Sequence, residues 1–194
     1  MAMDIRILPV LAFMPLLAGC LGTAPSAPAN WTVECPAAQP SSTVSRVAPE
    51  VKLQGVEVRS PYNGSSLAVL RADGSLAFDP FNSFAAPPAS LLRGAAFDVV
   101  ESSGAFGRVV HAGSSASAPL ALEVVVTRFA LDCRAEGGRV ASAAVTLSHV
   151  GNRSVVSSSR GSAAAPVRDG DFSSAFSAAF ADAMRSALGG LSAR

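Results

Sequence analysis

Lysine is nearly missing from this chain: Lys52 is the only one, and arginine carries the rest of the basic charge. Charged residues make up 15% of the sequence and almost cancel, to a formal net charge of +1. That balance excludes the basic footprint of a nucleic-acid binder. There is also no polybasic run to suit an anionic lipid surface. Histidine is scarce. His111 and His149 are the only two, both at expected strand ends, and neither has thiols or carboxylates near it at the spacing of a metal site. Serine is abundant, yet no G-x-S-x-G elbow occurs; the stretch Gly113-Ser114-Ser115-Ala116-Ser117 lacks the second glycine. A P-loop and a dinucleotide fingerprint are absent, and the Asp and Glu residues are scattered singly. No catalytic residue, metal or cofactor is therefore expected. Finally, no apolar run reaches the ~20 residues of a membrane-spanning helix.

What is there begins at the N-terminus. The apolar run from Ile7 to Leu17, broken by Pro9 and Pro15, has the length of a signal-peptide core. It ends in Leu17-Ala18-Gly19-Cys20, which resembles the lipobox of bacterial lipoproteins. Small residues at 18 and 19 let the backbone lie extended in a narrow protease site, and the thiol of Cys20 receives diacylglycerol. The alternative is an ordinary signal peptide followed by a chance cysteine. Several acyl chains at ~0.8 kcal/mol per buried methylene anchor a protein stably. Leu21 stands where an aspartate would retain a Gram-negative lipoprotein in the inner membrane. The expected location is thus the periplasmic face of the outer membrane.

Removing residues 1–19 from the 194 leaves one domain and a tether. Residues 20–50 are rich in Pro, Ala, Ser and Thr, a composition that cannot bury enough apolar surface to fold alone. Residues 31–34, from Trp31 to Glu34, are the exception and suit a docked edge strand. Residues 51–191 form the expected periplasmic domain. Strands are predicted over 51–59, with a bulge at Gly55, then 67–71 and 75–79 around an Asp73-Gly74 turn. Residues 80–88 read as an irregular aromatic segment. Pro87 and Pro88 open a helix running to Ser102, with Leu92, Ala95, Ala96 and Val99 on one face. Further strands are expected over 106–111, 120–132, 140–150 and 154–164. In the long 120–132 strand, Leu122, Val124 and Val126 face one way and Val125, Phe129 and Leu131 the other. A last helix covers 171–188, capped by Asp169 or Asp171 and ended by Gly189-Gly190. The expected fold is α+β: a mostly antiparallel sheet of about five to seven strands with two helices on one face.

Two sets of residues carry alternatives. Cys35 and Cys133, in an oxidising compartment, are expected to form a disulfide; the other reading leaves them unpaired, with Cys35 in the tether. On the last helix Phe172, Phe176 and Phe180 recur every four residues. They read as core packing against the sheet, or else as the lining of a groove for an acyl chain or a partner helix.

The order of elements resembles the ABC-type transport auxiliary lipoprotein family, partners of MCE-type and paraquat-inducible intermembrane lipid transporters. The resemblance runs through Val56-Glu57-Val58-Arg59, Leu70-Arg71-Ala72-Asp73-Gly74-Ser75-Leu76, the segment from Asp79 to Pro88, Ser103-Gly104-Ala105-Phe106-Gly107-Arg108-Val109, and the long strand ending Arg128-Phe129. It implies a non-catalytic lipoprotein subunit that docks an MCE-domain protein and an ABC permease and ATPase at the membrane, or assists phospholipid hand-over. A homo-oligomer is compatible with that role. The alternative is a structural envelope lipoprotein that binds a cell-wall synthase or an assembly partner.

Overall fold

The computed structural model describes residues 28–35, 46–134 and 138–191. Strands β1 (Ala29–Trp31), β2 (Ala48–Val58), β3 (Ser66–Leu70) and β4 (Leu76–Phe84) precede helix α1 (Pro88–Ser102). Strands β5 (Phe106–Val110), β6 (Leu120–Asp132), β7 (Val140–Gly151) and β8 (Ser154–Pro166) follow, and helix α2 (Phe172–Gly189) is the last described element. The fold is α+β, with all eight strands in one sheet.

Local chemistry accounts for most element ends. Gly74 takes φ +84° between β3 and β4, and the Asp73 carboxylate accepts from the Ser75 N–H (2.8 Å) and hydroxyl. The β7–β8 turn is made by Asn152 and Arg153, at φ 49° and 63°, the positive pair that matches the twist of a hairpin. Pro88 occupies the first turn of α1, where its missing N–H costs nothing. Asp171 caps α2 by accepting from the Ser174 N–H at 2.9 Å.

The sheet is mixed, which corrects the expectation of a mostly antiparallel one. The hairpins β3–β4, β6–β7 and β7–β8 are antiparallel. The pairs β1–β4, β2–β5, β2–β6 and β3–β6 are parallel. Tight turns reveal only the antiparallel partners; parallel ones arise where the chain crosses over through other elements. β6 is the hub. One edge pairs with β7 from Leu120 to Asp132, and the other is divided between β2 over Ala121–Val126 and β3 at Leu131–Asp132.

Two further expectations change for a common reason, the β-bulge. Between Val126 and Arg128 the β6–β7 register shifts, and Thr127 and Arg128 are both exposed. The alternation is reset, so Phe129 and Leu131 join Leu122, Val124 and Val126 in the core instead of facing away. In β4, Phe78 pairs with Ala68 but Ser83 pairs with Ser66, so the extra residues loop outward. The Asp79 carboxylate holds that bulge by accepting from the N–H groups of Phe81 (2.8 Å) and Asn82 (3.0 Å). The segment expected to be irregular is thereby strand as far as Phe84, which is buried.

Both helices lie on the buried face and pack against each other, α1 over β2 and β5, α2 over β7 and β8. The core is one cluster. Its alanines are compensated at the centre by aromatic rings: Phe129 lies 4.7 Å from Phe176, and Phe84 lies 5.2 Å from Phe129 and 5.3 Å from Phe176. No helix among the described residues is long and apolar enough to cross a membrane.

Candidate functional site

A groove of about 680 Å³ runs between the two helices. Small side chains create it: Gly94 and Ala95 on α1 face Ser173 and Ser177 on α2. Its floor at one side is the segment that follows β1, which α2 holds through three hydrogen bonds. The Ser173 hydroxyl donates to the Thr32 carbonyl (2.7 Å), the Glu34 N–H donates to the Ser177 hydroxyl (3.1 Å), and the Cys35 thiol donates to the Ser177 carbonyl (3.4 Å). Burial pushes the Cys35 thiol up to about 11, with Asp98 and Asp182 adding to the rise and Arg185 opposing it. A thiol held protonated at neutral pH is a poor nucleophile and a poor metal ligand. The groove can hold an extended chain or a small side chain.

The residues singled out in the sequence are dispersed. Cys20 lies outside the described residues. Cys35 and Cys133 are both free, so the expected bridge is not formed. Cys35 is committed to α2, whereas the Cys133 N–H continues the ladder by donating to the Leu70 carbonyl at 2.8 Å. Phe176 and Phe180 are fully buried and Phe172 nearly so; all three belong to the core. Phe172 packs at its end against Trp31, 5.2 Å between centroids. His111 stacks on Phe97 at 3.4 Å. His149 is buried against Phe106 with neither ring nitrogen hydrogen-bonded, and burial pulls its pKa down. Among the described residues no three His, Cys, Asp or Glu side chains come together as a metal site.

Sequence reasoning missed one surface feature. Phe78 and Phe81, on either side of the Asp79 bulge, are 51% and 48% exposed. The signal was present in Asp79-Pro80-Phe81, since an Asp followed by Pro favours a local turn, but alternation alone placed no aromatic outward there.

Among solved structures, the chain is similar to a Xanthomonas campestris protein, XCC0632, at 19% identity and TM-score 0.58, covering 84% of this chain and 89% of that one. A second crystal structure, of an uncharacterized protein, matches at 17% identity and TM-score 0.54 over 81% and 93% of the two chains. A PelC dodecamer from Paraburkholderia phytofirmans matches at 18% identity and TM-score 0.45 over 79% and 96%. No curated protein matches in sequence. The family model described as the ABC-type transport auxiliary lipoprotein component matches residues 32–194, the whole of the chain after β1. This chain belongs to the family of ABC-type transport auxiliary lipoprotein components.

Proposed function

We propose that the chain is a non-catalytic, lipid-anchored subunit of an MCE-type ABC transport system that moves phospholipid between membranes. Acylated on Cys20, it stands on the periplasmic face of the outer membrane and docks the transporter there or assists hand-over of lipid. The observation that carries this reading is the family match, which spans residues 32–194 and is to an auxiliary component of ABC transport. The sequence supports it from the other side: with no P-loop in the chain, the ATPase must be a separate partner. The inter-helix groove, with its unreactive thiol, suits a docked segment better than a reaction.

Affinity capture of the tagged, full-length lipoprotein from native membranes after mild crosslinking tests the proposal. Recovery of an MCE-domain protein or the ABC permease is the expected result. Recovery of neither overturns it, and capture of a cell-wall synthase instead favours a structural envelope role.

A further inference from the structure

We infer that the β4 bulge, through Phe78 and Phe81, dips into the same bilayer that holds the lipid anchor. The inference rests on the reading of Cys20 as acylated. The bulge is built to display these rings. The Asp79 carboxylate accepts from the Phe81 and Asn82 N–H groups and from the Asn82 side-chain amide, so the backbone between the two phenylalanines is locked. Asn82 in turn accepts from the Trp31 indole N–H at 3.1 Å, tying the bulge to β1. Both rings remain half exposed, and among the described residues Val155 is the one other large hydrophobic side chain that is exposed. A rigid pair of exposed aromatics forfeits little conformational freedom on insertion at a membrane interface.

The path of the chain identifies the occupant. β1 runs parallel to β4 with Ala29 opposite Asn82. Carried one residue back, that register sets Pro28, where the described segment begins, beside Phe81. Cys20 then lies eight residues beyond Pro28, a reach of about 28 Å at full extension. The acylated residue must sit at the membrane surface, so the edge that holds Phe81 cannot stand far above it. The one anion between the rings, the Asp79 carboxylate, is turned back onto the Phe81 and Asn82 N–H groups and lies within the field of Arg139, whose guanidinium is 5.5 Å from the Phe172 ring centroid. A second exposed apolar residue, Val155, follows the β7–β8 turn. It is separated from β4 by β3, β6 and β7, at the opposite end of the long β6–β7 ladder, and so serves as a control.

The experiment uses the full acylated chain, with mass spectrometry of the mature N-terminus, reconstituted in phosphatidylcholine–phosphatidylglycerol vesicles containing brominated acyl chains. Trp31 is the only tryptophan and its indole ties the bulge to β1, so it is kept, and the emission of F81W or V155W is read by difference from the parent. The expected result is F81W emission quenched about twofold or more by bromolipid, V155W unchanged, and no loss of quenching at high salt. Equal quenching of the two, or none, in protein confirmed as acylated overturns this inference while leaving the anchor intact. An unmodified Cys20 overturns the anchor reading and the inference with it. Self-association that is abolished by F78S/F81S, measured by sedimentation, makes the patch an interface between copies and also overturns it.

Discussion

At the scale of single residues, His149 is the most informative side chain. The residue is 3% exposed and neither ring nitrogen finds a partner, and burial holds its pKa below the ordinary 6.5. As pH falls from 6.5 toward that lowered value, the unfolded chain takes up a proton that the folded chain refuses. Stability therefore declines through that window. His149→Leu removes both the titration and the unsatisfied polar atoms. Its urea midpoint should be higher than that of the parent, and its stability flat between pH 7 and 5. A variant that keeps the parent slope refutes this account. The carboxylates act lower. Burial alone would raise the pKa of Asp79, but bonds from the Phe81 N–H and from Asn82, with Arg139 nearby, bring it down. The Arg134 guanidinium, at its carboxylate, lowers that of Asp132. Their contributions are complete above about pH 4 and are lost as pH falls through the lowered values.

At the scale of elements, the approach of α2 to β8 is decided by Gly161. A β-carbon there would collide with the Ala183 carbonyl oxygen and lie 2.6 Å from the Ala187 nitrogen. Both are backbone atoms that cannot step aside. Gly161→Ala should lower unfolding stability by about 1–3 kcal/mol, as overpacking does, read as a lower denaturant midpoint at unchanged m. Gly94→Ala provides the opposite sign. Gly94 is exposed in α1 with nothing within 4 Å of the added carbon, so the helix should gain about 0.5–1 kcal/mol as the groove narrows. Phe176 packs between Phe84 and Phe129. Phe176→Ala leaves a hole against those two rings, and should cost about 3–5 kcal/mol by the same measurement.

At the scale of the whole molecule, the free thiols set a prediction about redox state. Neither Cys35 nor Cys133 is bridged, so the thermal or urea midpoint of the purified domain should be unchanged by dithiothreitol. A fall of several degrees on reduction would show that a disulfide contributes to stability.

Much of the fold was legible residue by residue. The Asp73-Gly74 turn, the proline start of α1, the Asp171 cap, the Gly55 bulge and the four-residue recurrence of Phe172, Phe176 and Phe180 are local chemistry, and each lies where its pattern predicts. Such signals depend on backbone angles and hydrogen bonds reaching only a few residues along the chain. The family resemblance was legible for the same reason, in short segments in a fixed order. Tertiary structure alone decided the parallel pairing of β2 and β3 with β6, the bulge that turned Phe129 inward, the burial of Cys35 beneath α2, and the outward display of Phe78 and Phe81. Alternation shows which residues share a face, but a strand's neighbour and phase are set by contacts between segments far apart in sequence, whose energies appear only once the sheet has closed around its core.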